Sequence, residues 1–190
     1  MTGTPATGLQ TGQIRVAGTG AIWKAPIGST LPTDSTTALD PAFHNLGYTK
    51  SGFVFTPSRK TQPVTGWQSL NTLRLLVTEK TNKLGFELLQ SNADTLALAW
   101  DGTVVPGTGT AFTINVPDGV VADEYAYVVD MIDGTVSYRF VLQRGALLTP
   151  PTIKGDRTAE TSYAFEIQPL IPADGSNSIK IYGADVAVTG

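Results

Sequence analysis

The sequence predicts a mainly β protein, a β-sandwich or open barrel with one flanking α-helix. Short runs rich in Val, Thr, Ile and aromatic residues recur along the chain, several of them with apolar and polar residues alternating. Glycine and proline, 20 and 12 in 190 residues, punctuate those runs. Only the stretch 93–100 has helical spacing of its apolar residues. Many short strands beside one short helix form two packed layers or a curled sheet.

Residues 1–13 are small and polar without an apolar period and read as a flexible N-terminal arm. A first strand is expected over Ile14–Ala25, carrying Ile14, Val16, Ile22 and Trp23. Pro26–Pro41, rich in Pro, Ser, Thr and Asp, reads as a loop. Phe43, Leu46 and Tyr48 lead into a short extended piece, Ser51–Thr56. Pro57–Gly66 then completes a long exposed loop over 48–66. Trp67–Glu79 and Leu84–Gln90 read as strands joined by a polar turn at Lys80-Thr81-Asn82-Lys83. Ser91 or Asn92 is placed to cap a helix over Ala93–Trp100 that stops at Asp101-Gly102. Leu96 and Trp100 are expected to pack that helix on a sheet, with Ala93 and Ala97 alongside.

Further strands are expected near Val104–Val105, Ala111–Val116, Tyr125–Ile132, Thr135–Leu142, Leu147–Lys154, Thr161–Leu170 and Ser178–Tyr182. Ile132-Asp133-Gly134-Thr135 carries the Asp-Gly signal of a tight hairpin. Ala173-Asp174-Gly175-Ser176 reads as another turn. The main domain is expected over 14–185, with 186–190 as a C-terminal tail. No internal repeat of about 20–50 residues is present.

Composition narrows the function. The chain has no cysteine and one histidine, so disulfides, thiolate metal sites and a thiol nucleophile are absent. Net charge is −3, from 13 basic and 16 acidic residues, without the basic footprint of a sequence-reading nucleic-acid binder. No apolar run approaches the ~20 residues of a membrane span, no secretory signal pattern opens the chain, and no N-x-[ST] sequon occurs. Charged residues make up 15%, against a usual ~25%. Such a surface is either covered by further copies of the chain or is simply Thr-rich and uncharged.

Catalytic motifs are missing. His44, beside Phe43, reads as structural, and no Ser–His–Asp set assembles away from it. Gly18-Thr19-Gly20 lacks the third glycine of a dinucleotide fingerprint, and Pro106-Gly107-Thr108-Gly109-Thr110 has no following lysine. Both read as turns. Asp130 and Asp133-Gly134 are too few ligands for a calcium loop. Asp123/Glu124 reads as a solvated acidic pair. Neither a catalytic site nor a metal or cofactor site is expected.

The order of certain blocks is more specific. Val16-Ala17-Gly18-Thr19-Gly20-Ala21-Ile22-Trp23-Lys24-Ala25-Pro26 runs into Gly28-Ser29-Thr30-Leu31-Pro32-Thr33. Leu39-Asp40-Pro41-Ala42-Phe43-His44-Asn45-Leu46-Gly47-Tyr48 follows. Gly66-Trp67-Gln68, Thr78-Glu79, Phe86-Glu87-Leu88-Leu89-Gln90-Ser91-Asn92 and Asp174-Gly175-Ser176-Asn177-Ser178 come next in that order. Across about residues 14–182 this resembles the major tail tube proteins of siphophages infecting actinobacteria. One departure is Thr49-Lys50-Ser51-Gly52, where the family often has an acidic Ser-Glu-Asp-Gly turn. The exchange puts a lysine into a contact loop.

The resemblance implies the phage tail tube fold and a structural virion protein without enzymatic activity. Its subunits would form hexameric rings that stack into a hollow tube, inner strands closing into one barrel. Double-stranded DNA would pass through without specific binding. The implied partners are further copies of the chain, a tape-measure protein, a tail terminator and baseplate proteins, with no membrane insertion. Assembly would occur in the host cytoplasm.

A wall rich in Lys and Arg would hold phosphates, so the lumen should be neutral or mildly acidic. Glu79, Glu87 and Glu166 are the candidate wall acids, the alternative being an ordinary solvent face of the sheet. Lys50, Phe53, Phe55, Arg59 and Lys60 are the candidate ring–ring contacts, with the Met1–Gln13 arm as a second bridge. Competing readings are a tail terminator, a baseplate hub, or a decoration or carbohydrate-binding module. Sugar sites display aromatic platforms, whereas Trp23, Trp67 and Trp100 fall inside expected elements.

Overall fold

The computed structural model describes residues 13–119, 124–153 and 155–183. The strands are β1 (Thr19–Pro26), β2 (His44–Asn45), β3 (Thr49–Gly66), β4 (Ser69–Leu88), β5 (Thr103–Pro106), β6 (Phe112–Asn115), β7 (Glu124–Asp133), β8 (Val136–Thr149), β9 (Tyr163–Pro169) and β10 (Ile179–Gly183). The helix α1 covers Ala93–Trp100. All pairings are antiparallel. The main sheet runs β2-β1-β7-β8-β9-β4-β3, with β10 also on β8, and β5-β6 forms a separate hairpin. Residues 1–12 of the arm, the 186–190 tail, Asp123 and Lys154 lie outside the described residues.

The shape follows from β8. Its Tyr138–Leu142 half pairs with β10, while its Gly145–Thr149 half pairs with β9. One long strand thus serves two diverging partners, and the sheet curls there. Gly145 sits at that bend because a Cβ would lie 2.8 Å from the Ile167 side chain and 3.1 Å from the Tyr127 ring. Curling brings Ile22, Tyr127, Val129 and Leu142 against Leu84, Phe86, Leu88, Phe165 and Ile167 in one buried core. Alternation decides which residues these are: Leu84, Phe86 and Leu88 are buried, while Gly85 and Glu87 between them are not.

β7 is buried on both faces. Tyr127 and Val129 face that core, while Ala126 and Val128 join Ala25, Phe43 and Val141 in a second cluster covered by Leu31 and Leu39. Pro26–Pro41, expected as a loop, is therefore, beyond the end of β1, a lid over the back of the sheet. Arg139, 6% exposed, fastens it. Its guanidinium grips the Asp130 carboxylate through Nε at 2.7 Å and Nη2 at 3.1 Å, and Nη1 donates to the Thr37 carbonyl at 2.7 Å. Within the lid, Asp34 accepts from the Thr36 and Thr37 amides at 2.7 and 2.6 Å, and also from the Thr37 hydroxyl.

Several expectations change. The first strand starts at Thr19, not Ile14, and Ile14 and Val16 stay exposed. Thr135–Leu142 and Leu147–Lys154 were expected as two strands, but β8 runs unbroken from Val136 to Thr149 because β10 and then β9 continue its pairing. The hairpin turn centres on Gly134-Thr135, one residue later than expected, with Gly134 at φ 60°. That is where a two-residue turn of the II′ kind uses glycine.

The helix has its expected bounds and is capped by Asn92, whose side chain accepts from the Thr95 amide at 2.7 Å. Its buried face is Thr95, Leu98 and Ala99, not the expected Leu96–Trp100 stripe, and Trp100 is half-exposed. Thr95 Oγ1 donates to the Leu46 carbonyl, as does the Asn92 amide, so a polar anchor chooses the face.

The largest correction concerns 48–66. The expected loop Pro57–Gly66 is β-strand, and the expected turn at Lys80–Lys83 is paired strand, with Thr81 opposite Ser58. Both belong to one long hairpin that reverses at Trp67-Gln68, where Gly66 faces Ser69.

Candidate assembly surface

The β3–β4 hairpin divides into a root and an arm. At the root β4 is an inner strand, held on one side by β3 and on the other by β9 over Leu84–Leu88. Beyond Leu84 only β3 accompanies it. Nearly all of Thr56–Thr65 and Leu70–Lys80 is exposed. That arm carries Val64, Leu70, Leu73, Leu75, Leu76 and Val77 in water, with Trp67 at 97% and Leu70 at 104% of full exposure. Register shifts at Lys60/Thr61 and Val64/Thr65 mark bulges on β4, which add twist to the ribbon.

β3 ends the sheet path, so its far edge has no partner among the described strands. Pro57 and Pro63 lie on it, paired with Asn82 and Leu75. Proline has no N–H and fits a strand where that group would point away from the partner. Both prolines therefore delete donors from the open edge. A strand adding there finds its continuous ladder below Pro57, near the body.

The three candidate wall acids share a face. Glu79 and Glu87 have the parity opposite to buried Leu84, Phe86 and Leu88, and Glu166 lies across from Gly85 on that same outer side. Each meets a lysine: Lys60–Glu79 at 2.6 Å, Lys83–Glu166 at 3.1 Å and Lys50–Glu87 at 3.5 Å. Lys50 also reaches Glu160 at 3.0 Å. The hydrogen bond to Glu160, then the charges of Glu160 and Glu87, hold the lysine's pKa above its ordinary value. Glu160 in turn is lowered, first by its backbone hydrogen bond and then by Lys50. The three lysines of this face are locally compensated, while Arg74, across from Val64, shares the face toward the tip.

The five contact candidates do not form one patch. Phe53 and Phe55 point inward and pack against Phe140, with ring centroids 5.5 and 5.0 Å away, so they serve their own subunit. Lys50 and Lys60 belong to the ion-paired face. Arg59, adjacent to Lys60 in sequence, falls on the opposite face, directly across from Lys80. Two like charges facing each other on an exposed ribbon are unfavourable alone and suit a carboxylate from outside.

His44 holds Asp94 at 3.2 Å, and Asp94 lies 3.9 Å from Lys24, so the single histidine joins β2 to the helix. Glu124 pairs with Arg144, whose Nη2 donates at 2.7 Å, and this lowers the carboxyl's pKa. No group of three or more His, Asp or Glu among the described residues is placed to hold a metal ion, and no described helix is long and apolar enough to cross a membrane.

Sequence reasoning missed the arm tip and the clamp of Arg139 on Asp130 and the Thr37 carbonyl. A signal for the arm was present: Leu73, Leu75, Leu76 and Val77 form an apolar run with prolines in the facing segment, as an unburied edge hairpin would. The expectation that the tryptophans sit inside elements is corrected for Trp67, which occupies the turn.

The sequence model of a family described as "Phage tail tube protein" matches residues 7–186. No curated protein matches the sequence. Among solved structures, a chain of the cryo-electron-microscopy structure of the anti-feeding prophage baseplate aligns with TM-score 0.43 at 11% identity, over 88% of this chain and 94% of that one. A chain from the virion of a native gene transfer agent particle aligns with TM-score 0.33 at 16% identity, over 80% of this chain and 98% of that one.

Proposed function

We propose, from the premise that this chain belongs to the phage tail tube protein family, that it is the major tail tube subunit of a siphophage with an actinobacterial host. It is a structural, non-enzymatic component of the virion tail. In this reading copies join edge to edge into hexameric rings, and rings stack into a hollow tube assembled in the host cytoplasm. A tape-measure protein, a tail terminator and baseplate proteins complete the tail.

The observation that carries the proposal is the β3–β4 arm, a ribbon with exposed apolar residues and an open edge, uncovered among the described residues. Burying the edge and the face opposite Glu79 against further copies reduces the aggregation hazard of such a ribbon. Pro57 and Pro63 support an ordered join, because they leave the root of β3 as its continuous pairing stretch.

The lumen wall in this reading is the outer face of β3, β4 and β9, bearing Glu79, Glu87 and Glu166. Each lysine there already has a glutamate. DNA phosphates crossing such a wall displace few counterions and are not retained. Negative-stain microscopy of the purified protein tests the reading. Long hollow filaments are expected; closed single rings would favour a terminator or hub, and a stable monomer would overturn it.

A further inference from the structure

We infer that Trp67 at the tip of the β3–β4 arm is the knob of a heterologous contact, seated in a cleft at the root of the arm on a second copy of the chain. This rests on the tube reading and names the residues that would make one layer hold the next.

The knob stands at full reach. Trp67 is 97% exposed in a turn whose flanks, Gly66 and Ser69, are paired. A bare indole held out on a paired ribbon loses little conformational freedom on docking. Tryptophan and arginine are the residues that most often dominate an interface.

The hole is a cleft of about 450 Å³ where the end of β1, the start of β7 and the middle of β8 meet the turn after β9. Ile27, Leu31, Pro172 and Ala173 give it apolar walls, and Arg144 lies along it. The Glu124 pair and a hydrogen bond from Nη1 to the Ile171 carbonyl at 3.4 Å orient that guanidinium. An indole between apolar walls and an oriented guanidinium gains both burial and a cation–π contact.

Reach decides that the contact is between copies. The arm leaves the body after Lys83, and roughly 11 residues at ~3.3 Å each carry its tip roughly 35 Å away. The cleft lies beside the root, since Gly145 pairs with Pro169 of β9 and Ile167 pairs with Leu84. A ribbon paired to its tip cannot fold back onto its own root. A compact chain of this size is about 40 Å across, from a radius of gyration of about 16 Å. The tip therefore stands nearly one subunit away, where the next copy would be. Knob and hole are different surfaces, so each filled contact leaves another of each free, the geometry of an open polymer.

Two variants test this, Trp67→Ala and Ala173→Trp, the second filling the cleft at an exposed position. Each should remain folded by circular dichroism and raise the concentration needed for polymerisation at least about tenfold, with Trp67→Phe intermediate. Mixed in equal amounts, they should form two-layer particles and no longer ones, because one supplies the only intact tip and the other the only intact cleft. In a Trp23→Phe/Trp100→Phe background, emission from Trp67 should shift to shorter wavelength on assembly. Wild-type-like filaments from either variant, or emission unchanged on assembly, would overturn the inference and leave the tube reading standing. A wild-type protein that makes no polymer overturns the tube reading itself.

Discussion

Arg139 and Asp34 do at the residue scale what a second sheet does in many sandwiches: they hold a cover on an apolar face. Arg139 is buried, and Asp130 opposite it is largely so. Removing the arginine strands a carboxylate without its partner, which costs about 3–5 kcal/mol. Arg139→Met should therefore lower unfolding stability by about 3 kcal/mol in denaturant melts.

Asp34 acts inside the lid, where hydrogen bonds from Thr37 and then Thr36 hold its carboxyl well below the usual carboxylate range. A depressed folded pKa contributes stability above the unfolded value of about 3.9, lost as pH falls toward the folded one. The stability gap between wild type and Asp34→Ala should be constant near neutrality and shrink below about pH 4, read from denaturant midpoints across that range.

At the scale of elements, the helix and the arm obey opposite rules. The helix is short and owes its register to polar anchors. Asn92→Ala removes the cap and a donor to the Leu46 carbonyl, and should cost about 1 kcal/mol in the same melts. The arm contributes little to its own subunit, because its apolar residues remain in water. Replacing 57–82 by a tight turn should leave a folded body with the melting behaviour of the parent and abolish filaments in negative stain. Filaments from the shortened chain at wild-type yield would remove the arm from assembly.

For the whole molecule, charge placement matters more than net charge. The chain carries −3 overall, yet its proposed lumen face is a set of lysine–glutamate pairs. Exposed pairs of this kind contribute little to stability, so neutralising their acids should spare the fold. Glu79→Gln, Glu87→Gln and Glu166→Gln together would bare Lys60 and Lys83 and leave Lys50 with Glu160 alone. Tubes of that variant should retain DNA at low salt and release it as salt rises, in a filter-retention assay, while wild-type tubes retain none. Retention by wild-type tubes, or none by the variant, would place this face away from the bore.

Local physics was readable in the residue order. Alternation at Leu84, Phe86 and Leu88 named a core face, Asn92 and Asp101-Gly102 bounded the helix, and Asp133-Gly134 announced a hairpin. The candidate wall acids could be chosen as strand residues, but their common face depends on the pairing that makes 80–83 strand and sets Glu166 across from Gly85. Long-range partners decided the remainder. Nothing local distinguishes Pro57–Gly66 as a loop from the same residues as an edge strand, because proline suits both until a partner fixes which way its missing N–H points. The lysine beside each glutamate, the fusion of two expected strands into β8 and the anchor that turned the helix toward Thr95 all arise between residues far apart in the chain. Alternation and capping act over a few neighbours and survive in any context; pairing across the sheet exists only once the chain has closed on itself.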